Sequence, residues 1–233
     1  MRNYRAYVAE LIGTFFLVLT VGTAVLSQNA LAPLGIGAVL LAMVYAGGHI
    51  SGAHYNPAVT IAALVRRRIS VTDAVVYWVV QIVAGLLAGG LAYWIVNPAN
   101  VDTLTPTGRD LAVALVVEAL FTFALAFVVL NVATSKDHPV NSFYGLAIGF
   151  TVAAGAVAVG GISGAVFNPA VGLGVAAVGL IHFGTIWLYV LVQLAAGAVA
   201  GLVFLTLNPG ELPEPAPREV HADEAGAEVR NPG

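Results

Sequence analysis

The chain has 233 residues, 59% of them hydrophobic and only 9% charged, with a mean hydropathy of +0.91. Water-soluble domains carry about 25% charged residues, so this composition excludes a protein dissolved in water along most of its length and makes lipid its solvent. The formal net charge of −3 reflects one end, where six of the twelve acids fall in the last 23 residues; no basic patch suits nucleic acid, and the absence of cysteine excludes disulfides and thiol chemistry.

A helix needs about 20 apolar residues to cross a hydrocarbon core about 30 Å thick. The first such run covers 7–26. Arg2 and Arg5 precede it and Ala30 stands where a leader cleavage site would fall, but Glu10 within the run and the later spans assign it to a retained helix. The second run, 34–52, is followed by a half-length apolar stretch, 57–65, that starts at the Pro of Asn56-Pro57-Ala58. The third and fourth spans cover 74–96 and 111–130. The fifth, 142–160, is again followed by a short stretch, 169–180, starting at the Pro of Asn168-Pro169-Ala170, and the sixth covers 183–207. Proline fits the first helical position, where its missing N–H would have no partner, and asparagine before it is a favoured cap. Pro57-Ala58 and Pro169-Ala170 therefore open two half-helices that begin inside the membrane. The last stretch, 209–233, with five prolines and alternating acids, cannot bury enough apolar surface to fold and reads as a disordered cytoplasmic tail.

The chain is internally duplicated. Ser51-Gly52-Ala53-His54-Tyr55-Asn56-Pro57-Ala58-Val59 returns 112 positions later as Ser163-Gly164-Ala165-Val166-Phe167-Asn168-Pro169-Ala170-Val171. Gln81, Gly85 and Gly89 return at the same offset as Gln193, Gly197 and Gly201, and the two halves open alike with Glu10, Thr14, Phe15 and Glu118, Thr122, Phe123. The repeats cover approximately 5–96 and 110–207 within one membrane domain, 1–208. Three spans per repeat is an odd number, so the second repeat runs through the membrane in the opposite sense, and inverted repeats place a shared site near the midplane. With the N-terminus inside, Arg2, Arg5, Arg66, Arg67, Arg68, Lys136, Arg218 and Arg230 all fall on the cytoplasmic side, leaving only Arg109 outside. The predicted fold is an all-α membrane protein of six transmembrane helices and two re-entrant half-helices, its partner the lipid bilayer of a plasma or inner membrane and both termini cytoplasmic.

Non-helical backbone at membrane depth is tolerated only where protein covers it or where it lines a wet cavity. The Gly- and Ser-rich segments 48–55 and 160–167, which feed the half-helices, therefore imply water inside the protein, with carbonyl oxygens as acceptors along a narrow path. Asn56 and Asn168 would each present an amide donor there. Two half-helix dipoles, each equivalent to about +0.5 charge at its N-terminus, would repel a cation or a hopping proton and spare a neutral molecule. A third copy, Asn97-Pro98-Ala99, lacks the Ser-Gly lead-in and reads as a helix-ending turn.

The twin Asn-Pro-Ala motifs, the layout of six spans and two half-helices, Glu10, Glu118 and the lead-in His49-Ile50-Ser51-Gly52-Ala53-His54 together resemble the aquaporin, or major intrinsic protein, family over about 4–207. The resemblance implies an aquaporin-like fold, a homotetramer with one pore per protomer, no cofactor or metal, and no enzymatic activity. It implies that Glu10 and Glu118 hold the re-entrant loops rather than relay protons, and that His49 lines the inner half of the pore, as a pH sensor or as a simple hydrogen-bonding group. His54 and His182 read as loop and surface residues. The paired glycines fit close helix packing, within a protomer or between protomers. Water-selective members build an outer constriction from an aromatic residue, a histidine, a small residue and an arginine; those four places hold Ile36, Ala156, Ala165 and Val171. Glycerol facilitators keep the arginine and follow it with aspartate, whereas here Val171-Gly172 stands there. The expected function is a passive channel for water or small neutral solutes, with a wide aliphatic outer ring. The alternatives are a channel mainly for non-water solutes (ammonia, hydrogen peroxide, glycerol, urea or gas), an active transporter, or a membrane structural protein with a closed pore.

Overall fold

The computed structural model describes residues 3–137 and 141–211. In lipid every backbone polar group must be satisfied within its own segment or a closed barrel, and the apolar runs answer with helices. The eight are α1 (Asn3–Leu26), α2 (Ala32–Ser51), α3 (Pro57–Val65), α4 (Val71–Val96), α5 (Gly108–Thr134), α6 (Tyr144–Ser163), α7 (Pro169–Ala177) and α8 (Phe183–Leu207). Six have the length and apolarity to cross a membrane; α3 and α7, at nine residues each, do not. Among the described residues the one piece of β pairing is an isolated parallel bridge between Leu104 and Ile181.

Helix ends differ from the sequence expectation in one informative place. The second span, expected over 34–52, is matched by α2 ending at Ser51, whereas the fifth, expected over 142–160, is exceeded because α6 continues through Ser163. Gly48 and Gly160 leave the ladder intact; the stop is the next glycine. Gly52 and Gly164 take the left-handed conformation at φ 85° and 84°, and their N–H groups donate back to the carbonyls of Gly48 and Gly160. Only four residues, 52–55 and 164–167, are thus left to descend to each half-helix.

The packing is that of an inverted repeat. Within the repeats α1 packs on α2 and α4, as α5 packs on α6 and α8; α2 meets α6 across the pseudo-two-fold. Each half-helix then crosses to the other repeat, α3 lying on α8 and α7 on α4. The glycine pairs make this exchange possible. A Cβ on Gly85 would stand 2.5 Å from the carbonyl oxygen of Ala170, and one on Gly197 would collide with that of Ala58. These pairs therefore seat re-entrant helices within one protomer. Outward-facing side chains are large and apolar, with Trp94 77% and Val157 75% exposed, as a lipid-facing surface requires.

One end of the bundle carries Arg5, Arg66, Arg67, Arg68 and Lys136, and the opposite end carries Arg109. We call these the basic end and the far end. The segment 209–233 was expected to be a tail without structure from its first residue, but Pro209–Glu211 form a 3₁₀ turn in which Glu211 is buried. Its carboxylate is paired there with the Arg66 guanidinium at 2.9 Å. Arg2, Arg218, Arg230 and the rest of the expected tail lie outside the described residues.

Candidate functional site

The half-helix starts are built alike. Asn56 and Asn168 sit in extended backbone at φ −157° and −155°, and each side-chain Oδ1 accepts the N–H two residues on, from Ala58 at 2.8 Å and from Ala170 at 2.9 Å. Pro57 and Pro169 occupy the first helical positions, so no amide hydrogen is wasted there. Each Nδ2 then reaches across the pseudo-two-fold: Asn56 donates to the carbonyl of Phe167 at 2.9 Å and Asn168 to the carbonyl of Tyr55 at 2.8 Å. This reciprocal clamp sets the two helix starts nose to nose. An asparagine amide carries two N–H donors, so one per residue remains beyond the clamp.

The loops that deliver these asparagines are strained. Ala53 and Tyr55 have φ 51° and 49°, and Ala165 and Phe167 have 49° each. A left-handed conformation costs a residue with a Cβ about 1 kcal/mol or more. Two buried acids, both 0% exposed, hold it in place. Glu10 accepts from Ser51 Oγ at 2.7 Å, His54 N at 2.9 Å, Tyr55 N at 2.7 Å and Gln81 Nε2 at 2.8 Å. Glu118 accepts the matching set, Ser163 Oγ at 2.7 Å, Val166 N at 2.9 Å, Phe167 N at 2.8 Å and Gln193 Nε2 at 2.7 Å. Four donors meet two oxygens in each case, the complement of a carboxylate. The N–H groups of His54, Tyr55, Val166 and Phe167 are spent on the acids and those of Ala53 and Ala165 on the hydroxyls of Ser51 and Ser163, which leaves four loop carbonyls over. Those of Ala53, His54, Ala165 and Val166 accept no hydrogen bond among the described residues.

These groups border one cavity of about 420 Å³. Asn56 and Asn168 line it, as do Ala53, His54, Ala165 and Val166, the residues that carry the free carbonyls and the amide donors. Ile36, Ala156, Ala165 and Val171 line it too, beside aliphatic Leu17, Val21, Leu125, Val129, Ile148 and Val152. Among the described residues no group of three or more His, Cys, Asp or Glu is placed to bind a metal.

The two histidines of the lead-in border different spaces. His49 does not border this cavity; it borders a second one of about 610 Å³ at the basic end, with Arg5, Tyr7, Arg68 and Asp73. The helical repeat is the reason: nine residues past Leu40, at 3.6 residues per turn, is about half a turn away from the pore face of α2. His54, expected to be a plain loop residue, lines both cavities, with its Nδ1 3.1 Å from Thr60 Oγ1. A signal for it did exist, since it lies two residues from Asn56 on the loop whose carbonyls were expected to face water. His182 is exposed and caps α8, its Nδ1 accepting from Gly184 N at 3.1 Å. Asp102, which carried no sequence signal, borders the first cavity because the loop between α4 and α5 is tied down: Leu104 donates to the Leu180 carbonyl at 2.9 Å and accepts from His182 N at 3.1 Å.

Comparison with known proteins gives a consistent result. A family model described as major intrinsic protein matches residues 1–207. The chain is 36% identical over 196 residues to the glycerol uptake facilitator protein-like 6 of Lactiplantibacillus plantarum, covering 80% of this chain and 90% of that protein. It is 38% identical over 204 residues to Nodulin-26 of Glycine max, covering 83% of this chain and 74% of that one. Its fold is similar to the X-ray structure of the aquaglyceroporin from Plasmodium falciparum, with a TM-score of 0.72 at 21% identity over 88% of this chain and 95% of that one.

Proposed function

The chain belongs to the major intrinsic protein family, and from that premise we propose how this member discriminates among the molecules it passes. It is a passive membrane channel for water or small solutes such as glycerol, and not an enzyme. In our reading Asn56 and Asn168 are the donors at mid-pore, and Ile36, Ala156, Ala165 and Val171 form a wide, uncharged outer ring. The reciprocal asparagine clamp carries this reading: it fixes two helix starts at one point and leaves each amide an N–H for a solute.

The physics favours neutral molecules. Two half-helix starts contribute about +0.5 charge each, close to one positive charge together. A monovalent cation about 4 Å away meets about 4 kcal/mol of repulsion at an effective dielectric constant of 20, roughly a thousand-fold in occupancy. A neutral solute donates to the free carbonyls and accepts from the amides, replacing the hydrogen bonds it left in water. The aliphatic ring lacks the arginine of water-selective relatives, so it supplies neither the five donors of a guanidinium nor a charge of its own. That favours solutes larger or less strongly hydrated than water, among them glycerol, urea, ammonia and hydrogen peroxide, alongside water itself.

Placement in a plasma or inner membrane with the basic end and both termini cytoplasmic follows the positive-inside rule. A homotetramer with one pore per protomer is the assembly the family resemblance suggests.

The test is purified full-length protein in liposomes, followed by light scattering in water, glycerol and urea gradients and by an internal pH dye for ammonia. Shrinkage and swelling faster than in protein-free vesicles are expected; equal rates would remove the open-channel reading. Val171→Arg is expected to cut glycerol and urea flux more than water flux, and an unchanged ratio would mean that the ring is not the filter.

A further inference from the structure

The residue in front of each clamped asparagine supplies the carbonyl that the other repeat's amide uses, so its placement decides where that amide points. In the second repeat this residue is Phe167, whose ring stacks on Phe121 with centroids 5.3 Å apart. In the first repeat it is Tyr55, and its surroundings differ. Counted from the matched acids, α1 has Gly13 where α5 has Phe121; counted from the matched asparagines, α2 has Gly47 where α6 has Val159. The two glycines open a slot that the buried Tyr55 ring fills: a Cβ on Gly13 would collide with the ring and one on Gly47 with the hydroxyl oxygen. That hydroxyl donates to the Met43 carbonyl at 3.0 Å. In the helical ladder of α2 the same carbonyl faces the Gly47 N–H. It has a second lone pair to offer, and the missing side chain at Gly47 leaves it open to a donor from the flank.

We propose that Tyr55 is a positioning residue, whose hydroxyl bond to α2 sets the aim of the Asn168 amide in the pore. This rests on the reading of Asn168 as a mid-pore donor. Tyr55 is held at three points: its hydroxyl by the Met43 carbonyl on α2, its N–H by Glu10 on α1 at 2.7 Å, and its carbonyl by Asn168 Nδ2 at 2.8 Å. Together they keep it at φ 49°, which a residue with a Cβ does not hold unaided. The amide of Asn168 is planar, so the N–H given to the Tyr55 carbonyl also fixes the direction of the other N–H, the one left for a solute. Tyr55 thereby acts through Asn168 rather than on the solute. Phe167 has no hydroxyl, so the second repeat lacks this key and aims Asn56 through Glu118 and the ring stack.

The experiment uses the full chain, with asparagine labelled by heavy nitrogen for magnetic resonance in detergent, and the same variants in liposomes. Tyr55→Phe keeps the ring and removes only the hydroxyl. It is expected to shift the side-chain amide resonances of Asn168, identified by their loss in Asn168→Asp. Those of Asn131, whose Nδ2 bonds the Phe127 carbonyl, are expected to stay in place. Asn168 resonances that do not move would overturn the inference, and so would equal shifts of both residues, which mark a general structural change. In liposomes Tyr55→Phe is expected to lower water and glycerol flux about five-fold, the scale of one neutral hydrogen bond. Gly47→Ala drives a methyl group into the hydroxyl and is expected to lower both at least about ten-fold, as a displaced positioning group does. Adding Tyr55→Phe to Gly47→Ala removes the colliding oxygen, so flux returns to the level of Tyr55→Phe. A folded double variant as slow as Gly47→Ala, or a Gly47→Ala protein that conducts like wild type, would overturn the inference alone. If Gly47→Ala does not fold, the Asn168 resonances of Tyr55→Phe decide. A wild type that passes water and glycerol no faster than protein-free vesicles would overturn the channel reading and the inference with it.

Discussion

Tyr77 and Tyr189 hold equivalent places in the two repeats, yet their hydroxyls differ. Tyr77 donates to the Ser51 carbonyl at 2.7 Å, whereas the buried Tyr189 hydroxyl has no hydrogen-bond partner among the described residues. Removing a donor strands its acceptor and costs about 1–3 kcal/mol, while removing an unpaired group costs little. Tyr77→Phe is therefore expected to lower the thermal unfolding midpoint in detergent, and Tyr189→Phe to leave it unchanged or raise it; equal shifts would refute the contrast. Glu10 is a harsher case. Glu10→Gln keeps the shape but turns an amide NH₂ toward a set made wholly of donors, so at least one of Ser51, His54, Tyr55 and Gln81 loses its acceptor. Loss of water flux together with stability is expected, measured as light-scattering rate and unfolding midpoint on the same preparation. A stable, fully conducting Glu10→Gln protein would mean that loop strain does not need the carboxylate. The pairing of Glu10 with its loop was expected from the family resemblance, and the matched Glu118 showed only that the two halves share the acid. The place of His54 at the cavity was only half legible: its position two residues before Asn56 pointed there, but His49 stands in the same lead-in and only the helical register of α2 separates the two.

Helices α3 and α7 are too short to be stable alone, since isolated helices below about 12–15 residues are marginal in water. Their stability comes from what they lie on, and the contact is backbone against backbone. Gly197 faces the Ala58 carbonyl and Gly201 faces Val65 and the Ala62 carbonyl, while Gly85 and Gly89 face the carbonyls of Ala170 and Gly174. A side chain on Gly197 pushes α3, and with it Asn56, toward the pore. Gly197→Val is expected to destabilise the protein by about 1–3 kcal/mol, the range for overpacking, and to cut flux at least ten-fold. Gly90→Ala, where a Cβ would meet nothing within 4 Å, is the control expected to change neither. Flux retained in Gly197→Val would show that α3 can shift without moving the asparagine. The glycine spacing was visible in the sequence, but its partner was not: the same pattern serves contacts between protomers as readily as contacts within one. The six spans and two half-helices were readable because apolar length and Asn-Pro capping are local properties. The extra turn of α6 past Gly160 was not, because that glycine resembles a loop residue until its hydrogen bond is seen.

At the scale of the whole molecule the pseudo-two-fold is broken most plainly at the outer ends of the half-helices. The residue that caps the C-terminus of α7 is Val178, while the one that caps α3 is Arg66, whose side chain is 2% exposed. Arg66 donates from Nε to Thr134 Oγ1 and from Nη2 to the Thr134 carbonyl, both at 2.7 Å, stacks 4.5 Å over the Phe204 ring, and pairs with Glu211 at 2.9 Å. Glu211 also accepts the Lys136 amide. Three stretches far apart in the chain, the ends of α3, α5 and α8, are thereby joined at the basic end. No local pattern announced this, since Glu211 opens a proline-rich acidic stretch whose composition argues against order. Burial alone would raise the Glu211 carboxyl, but the Lys136 N–H and the Arg66 guanidinium outweigh it and hold the group below its ordinary value of 4.5. A depressed folded-state value means that the contribution to stability is complete above the ordinary value and is lost as pH falls below it. Glu211→Gln is therefore expected to cost about 2 kcal/mol at neutral pH, the scale of a hydrogen bond to a charged group, seen as a lower unfolding midpoint. The gap between wild type and Glu211→Gln should stay constant down to the ordinary carboxylate range and close below it. A gap that is absent at neutral pH, or that widens on acidification, would mean that the joint at Arg66 does not depend on the charge of Glu211.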